Sequence, residues 1–231
     1  MHKRIGIIGG MSPESTAAYY EYITRTYTER YGDYAYPEIL IYSVSFQPYV
    51  DWPEAGRWDL VAQGLSEAAR RLEAAGADFI LIATNTMHKV FEQVQANVSV
   101  PMLSLLDAVG EAIRSQGFET VGLLGTRFTM EEPFYREALA VHDISVLIPA
   151  AQERAYVDRV IYEELVAGQI RERSRQRFVT VIQNLAARGA EGVVLGCTEI
   201  PLLVDEAETG LPLFDTTLLH ADAALRYAVG G

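Results

Sequence analysis

One cysteine, Cys197, occurs among the 231 residues, and its position bears on what it does. It lies within residues 189–199, Gly-Ala-Glu-Gly-Val-Val-Leu-Gly-Cys-Thr-Glu, directly after their apolar run. That stretch matches residues 76–86, Gly-Ala-Asp-Phe-Ile-Leu-Ile-Ala-Thr-Asn-Thr, 113 positions earlier. Cys197 and Thr84 therefore hold equivalent places. A thiol ionises near ~8.5 and as a thiolate is a base and a nucleophile, whereas a threonine hydroxyl stays protonated near neutrality and delivers or relays a proton. The neighbours Asn85, Thr86, Thr198 and Glu199 add amide, hydroxyl and carboxyl groups. Each residue also has a plain structural reading. A lone cysteine is often a small buried hydrophobe, and a hydroxyl after a strand often caps the next helix. Glu199 fits the first turn of a helix, and His88 is either a general acid or orienter, or a surface histidine. The place of Cys197 at a strand end, between Gly196 and Thr198 and opposite a polar partner, favours function.

The elements that must position these groups come in two copies. Residues 4–10, Arg-Ile-Gly-Ile-Ile-Gly-Gly, reappear at 120–126 as Thr-Val-Gly-Leu-Leu-Gly-Thr, and Val100-Pro101-Met102-Leu103 reappears as Leu211-Pro212-Leu213-Phe214. Three matches in one order at nearly one offset indicate an internal duplication. Short Ile/Val/Leu runs bounded by glycine, alternating with amphipathic stretches, predict parallel sheets covered on both faces. The first copy is expected to run strand 4–9, helix 14–30, strand 38–44, helix 57–75, strand 78–83, helix 87–96 and a strand near 101–104. The second is expected to run strand 120–125, helix 131–141, strand 144–148, helices 153–167 and 172–188, strand 191–196 and strand 211–214. A last helix, 216–229, packs back onto the first copy. Ser12-Pro13-Glu14 is a helix start, and Gly76 and Gly189 close helices before strands. The expectation is an α/β protein of two similar flavodoxin- or Rossmann-like lobes related by a pseudo-twofold axis. One lobe spans 1–107 plus 212–231, the other 108–211. Ligands of such sheets bind outside the carboxyl ends of the strands. The candidate loops are Gly9 to Ser15, Thr84 to His88, Gly125 to Thr129 and Cys197 to Pro201, flanking a cleft between the lobes, each opening into a helix whose free N–H groups favour anions.

Composition narrows the partners. A net charge of −12, with 19 Lys and Arg against 31 Asp and Glu, leaves no basic footprint for nucleic acid, and the densest basic stretch, Arg171 to Arg177, reads as a solvated helix face. No apolar run approaches the ~20 residues that span a bilayer, and the start of the chain does not read as a secretory signal. A single cysteine forms no internal disulfide, which suits the reducing cytoplasm, and His2, His88, His142 and His220 lack ligand spacing for a metal. Ile5 to Met11 lacks the third glycine of a dinucleotide fingerprint, and no acid ends the following strand. The tyrosine-rich stretch from Tyr19 to Tyr49, with Trp52 and Trp58, is read as core or an oligomer contact.

Gly9-Gly10-Met11-Ser12-Pro13-Glu14-Ser15-Thr16, Thr84-Asn85-Thr86-Met87-His88 and Leu195-Gly196-Cys197-Thr198-Glu199, in this order over essentially the whole chain, resemble the aspartate/glutamate racemase family. The resemblance implies a cofactor-independent amino-acid racemase, a homodimer in the cytoplasm, with one acid/base residue from each lobe. Many relatives carry cysteine at both positions, whereas here Thr84 stands at the first. It implies that Cys197, as a thiolate, removes the α-proton of one enantiomer, the L form, and that Thr84 serves the opposite face. Met11 and Ser12 would line the pocket through the first turn. Asn85 and Thr86 from one lobe, and Thr198 and Glu199 from the other, would hold the α-carboxylate or amine, and Gln47 lies where relatives recognise the side-chain carboxylate. Thr126 and Arg127 stand at the repeat of that first turn, where Arg127, with Lys89 and His88, would offset substrate charge. Neither pyridoxal phosphate nor another cofactor is indicated. Two other readings stay open: a single-cysteine decarboxylase of substituted malonates or maleate isomerase, and a non-catalytic amino-acid-binding protein.

Overall fold

The computed structural model describes residues 2–230. The chain divides into two compact units, Met1–Leu105 with Thr217–Gly231, and Leu106–Thr216. The first unit runs β1 (Ile5–Gly9), α1 (Pro13–Tyr31), β2 (Ile39–Ser43), α2 (Phe46–Glu54), α3 (Trp58–Ala74), β3 (Phe79–Ile82), a 3-10 turn over Thr86–Val90 continued by α4 (Phe91–Gln95), and β4 (Met102–Leu103). Then α5 (Leu105–Ser115) leads into the second unit: β5 (Thr120–Gly125), α6 (Arg127–Glu131), α7 (Pro133–Ala140), β6 (Ser145–Leu147), α8 (Ala151–Val160) with a π-helical turn over Ile161–Leu165, α9 (Glu172–Ala187), β7 (Gly192–Gly196), a 3-10 turn over Ile200–Leu202, α10 (Glu206–Thr209) and β8 (Leu213–Asp215). Helix α11 (Thr216–Val229) closes the chain.

Each unit holds one four-stranded parallel sheet, ordered β2-β1-β3-β4 in the first and β6-β5-β7-β8 in the second. In the first sheet Ile5 pairs with Phe79 and Ile7 with Leu81, and in the second Val121 pairs with Gly192 and Leu124 with Leu195. Side chains alternate across a strand, so an apolar run without polar interruptions needs cover on both faces. Ile5, Ile7, Phe79 and Leu81 pack with Tyr19, Ile23 and Tyr27 of α1 and with Ala221, Ala224, Leu225 and Ala228 of α11. Ile8, Ile80 and Ile82 pack on the opposite face with Val61, Leu65, Ala68, Ala69 and Leu72 of α3. The return of the last helix to the first unit is thus a matter of burying its alanine and leucine stripe against α1 and the strands. In the second unit Leu124, Val193 and Leu195 pack with Val157 and Val160 of α8 and with Phe178, Val181, Ile182 and Leu185 of α9.

Several expected elements need correction. The helix expected over 131–141 is α7, which starts at Pro133, and a short helix α6 precedes it; Pro133 disfavours helical backbone at Glu132, which sits between them at φ −71° and ψ 148°. The helix expected over 87–96 begins as a 3-10 turn, and the one over 153–167 passes into a π turn after Val160. Helices α2 and α5 were not anticipated. Among the tyrosines, Tyr19, Tyr27 and Tyr49 are core, while Tyr20, Tyr31, Tyr34 and Tyr36 are exposed. No helix among the described residues is long and apolar enough to cross a membrane.

Candidate active site

In the first unit two loops leave the carboxyl ends of β1 and β3. Ser12 caps α1, its hydroxyl accepting from the Ser15 N–H, and Pro13 occupies the first turn, where no N–H is needed. Gly9 is required by proximity, since a Cβ there would lie 2.5 Å from Cγ2 of Thr16. The two loops are tied together by the Ser15 hydroxyl, which donates to the Ala83 carbonyl at 3.0 Å, and by the Ala83 N–H, which donates to the Ile8 carbonyl at 3.0 Å. Thr84, half-buried, follows directly.

Thr84 is held through its backbone by His88. The imidazole Nδ1 lies 2.8 Å from the Thr84 carbonyl oxygen, and Nε2 lies 3.1 Å from the Leu105 nitrogen. A carbonyl only accepts and a backbone N–H only donates, so the proton sits on Nδ1 and the ring is neutral. His220 repeats the arrangement. Its Nε2–H donates to the Leu103 carbonyl at 3.0 Å, and its Nδ1 accepts from the Tyr19 hydroxyl at 2.8 Å. Burial, then the neighbouring His88, pushes the His220 pKa down to about 3. The two rings meet edge to face, 5.9 Å apart. His88 is therefore a buried brace, not a surface histidine.

In the second unit the equivalent loops follow β5 and β7. Thr126 caps α6 as Ser12 caps α1, accepting from the Thr129 N–H. Gly125 repeats the role of Gly9, since a Cβ there would meet Thr129 at 2.8 Å. At the end of β7 the Cys197 thiol donates to Oε2 of Glu199 at 3.0 Å, and the Thr198 hydroxyl donates to the same oxygen at 2.8 Å. Glu199 is buried, whereas Cys197 and Thr198 keep some exposure. Burial first, then the Glu199 carboxylate, raises the thiol well above its ordinary range. The thiol therefore has to give up the proton it donates to Glu199 before it can act as a base.

The other predicted residues fall in distinct settings. Met11 is buried in the core of the first unit, and Asn85 and Thr86 are buried at the start of the 3-10 turn. Gln47 is exposed in α2 and donates to Asp51 at 2.8 Å, because the chain leaves β2 at Ser43 and turns helical at Phe46. Arg127 is exposed, its guanidinium stacked on Phe128 at 4.7 Å and its N–H donating to Asp158 at 2.6 Å. Lys89 stacks over Trp58 at 4.2 Å. The expectation that every loop opens into a dipole-bearing helix holds fully only after β1, which leads into the 19 residues of α1. The loop after β5 enters α6 of five residues, and those after β3 and β7 enter 3-10 turns of five and three residues, all too short to align many peptide dipoles. Sequence reasoning missed the bracing group of Ser15, Tyr19 and His220, whose partners lie up to 201 positions apart.

A protein-family model described as Asp/Glu/Hydantoin racemase matches residues 8–224. The chain belongs to this family. The broad specificity amino-acid racemase RacX of Bacillus subtilis (strain 168) is 26% identical over 227 residues, 96% of each chain. A solved Yersinia pestis protein, provisionally described as an Asp/Glu racemase, is 45% identical with a TM-score of 0.92, covering 98% of this chain and 99% of that one. An aspartate racemase homologue from Pyrococcus horikoshii OT3 is 39% identical with a TM-score of 0.84, covering 99% and 100%.

Proposed function

We propose that this protein is a cofactor-independent racemase of acidic amino acids, aspartate or glutamate, with Cys197 and Thr84 acting on opposite faces of the α-carbon. The observation that carries the reading is the Cys197–Glu199 hydrogen bond at the end of β7, a thiol with a carboxylate in place to take its proton. In the forward direction the Sγ proton passes to Oε2 of Glu199, and the thiolate takes the α-proton of the L enantiomer. The electron pair left behind is delocalised into the substrate carboxylate. The Thr84 hydroxyl then gives a proton to the other face and regains one from water, while Glu199 returns to water the proton it took from Sγ, so that both ends of the site are reset. A hydroxyl is a poor base, so Thr84 is suited to delivery. Asn85, Thr86, Thr198, Met11, Ser12, Thr126 and Arg127 are the groups from which substrate contacts are drawn, with Gln47 the weakest of them because its amide is engaged by Asp51. The same reading has the protein working as a homodimer in the cytoplasm.

Chiral chromatography of D- and L-aspartate and D- and L-glutamate after incubation with the enzyme tests the proposal. Turnover of at least one pair is expected, falling about 10³-fold or more in Cys197→Ala. Turnover that persists in that variant, or none with any of the four, contradicts it. The thiol's place as a hydrogen-bond donor to Glu199 also favours a second reading, a proton donor to a carbanion made by decarboxylation. Adding phenylmalonate and maleate to the panel separates the two.

A further inference from the structure

The basic stretch beginning at Arg171 is unused by the proposed chemistry. In α9, Arg173, Gln176, Arg177 and Thr180 stand at i, i+3, i+4 and i+7, so they form one stripe along the helix. That stripe is exposed, while Ser174, Phe178, Val181, Ile182 and Leu185 are buried. From α8, Tyr156 and Arg159, three apart, face the same hollow. Together the six residues line a surface pocket of about 500 Å³.

Three guanidiniums around one hollow are out of character for this chain. Its net charge is −12, and its arginines are otherwise commonly matched with acids, as in Arg4–Asp78, Arg57–Asp59, Arg154–Glu131 and Arg175–Glu208. Among the described residues Arg173 has no hydrogen bond or ion pair. Arg159 only stacks on the Tyr156 ring at 5.3 Å, and Arg177 comes no nearer to an acid than 3.9 Å, from Glu153. Like charges at i and i+4 of an exposed helix destabilise it. Arg173 and Arg177 are such a pair, with Arg159 adding a third charge from α8. An anion bridging them would turn that repulsion into charge-assisted hydrogen bonds, and the planar guanidinium suits phosphate and carboxylate oxygens equally.

We propose that this pocket, whose lining includes neither Cys197 nor Thr84, binds a small polyanion bearing two or more phosphate or carboxylate groups. The experiment is calorimetric titration of the full chain, at low ionic strength, with pyrophosphate and with citrate. Arg173→Ala and Arg177→Ala are compared with Arg114→Ala, which removes the same charge from the exposed face of α5. Binding of at least one probe is expected, weakened about tenfold or more by each pocket variant and unchanged by Arg114→Ala. Pyrophosphate alone binding assigns the phosphate class, and citrate alone assigns the polycarboxylate class. If neither probe binds the unmodified chain, or if Arg114→Ala weakens binding as much as the pocket variants, the proposal is overturned. Circular dichroism of each variant checks that the fold is intact.

Discussion

The loops after β3 and β7 start from equivalent strand ends and carry different chemistry. After β3, the Thr84 backbone is fastened by a neutral histidine that uses both ring nitrogens on main-chain groups, and the residue left to react is a hydroxyl. After β7, among the described residues, no histidine braces the backbone. Instead a thiol and a second hydroxyl converge on one carboxylate oxygen. The duplication keeps what the backbone needs: Gly9 and Gly125 pressed against threonines, and Ser12 and Thr126 capping the next helix. It lets the reactive side chains diverge. One loop offers a proton donor, and the other offers a donor with its own base.

The most damaging way to break that contrast, beyond removing the sulfur itself, is Glu199→Gln. Racemisation should fall about 10²-fold, because the thiol loses the group that accepts its proton. The carboxylate also holds the thiol pKa up, so its removal lets the thiolate form at lower pH. Alkylation by iodoacetamide, followed across pH, should therefore shift toward acid while turnover drops. In the unmodified protein kcat/KM should climb with pH through neutrality and beyond, as the raised thiol ionises. An alkylation profile unmoved by Glu199→Gln would make the carboxylate merely structural.

His88→Leu attacks the other loop. It leaves the Thr84 carbonyl and the Leu105 N–H without their imidazole partner in a buried setting, at a cost of about 2–4 kcal/mol in urea denaturation. Turnover should fall through lost positioning while the alkylation profile of Cys197 stays put. A smaller, graded effect comes from His220. In the unfolded chain it takes a proton near ~6.5, but in the fold only near about 3, so the unfolded state binds more protons across that window. Its contribution to stability is complete above ~6.5 and is lost as pH falls toward 3, by up to about 1.4 kcal/mol per pH unit. Melting curves at stepwise lower pH should show that slope, and His220→Gln should flatten it.

Much of this was legible in the chain. The repeated glycine-bounded apolar runs mark the strands, because parallel strands buried on both faces admit little else, and the offset between repeats pairs Thr84 with Cys197 directly. Ser12-Pro13 names its own helix start. Less legible were features set by partners distant in sequence. Nothing local announces that His220 will meet Tyr19 and Leu103, or that His88 will be buried against Leu105. The protonation state of Cys197 follows from burial and from where the Glu199 carboxylate turns, neither of which spacing reveals. The assignment of Gln47 to the substrate rests on resemblance alone, and nothing local announces that it lies in the first turn of α2 with its amide engaged by Asp51.

The asymmetry between sulfur and hydroxyl can be measured directly by solvent exchange. The unmodified enzyme is incubated in deuterium oxide with L-aspartate and, separately, with D-aspartate, and proton NMR follows the α-proton signal from the first moments. The L form should lose its α-proton faster than it inverts, because the thiolate returns a solvent deuteron to the face it opened, and the D form should lag by about tenfold or more. Equal initial wash-in from both enantiomers would contradict the account.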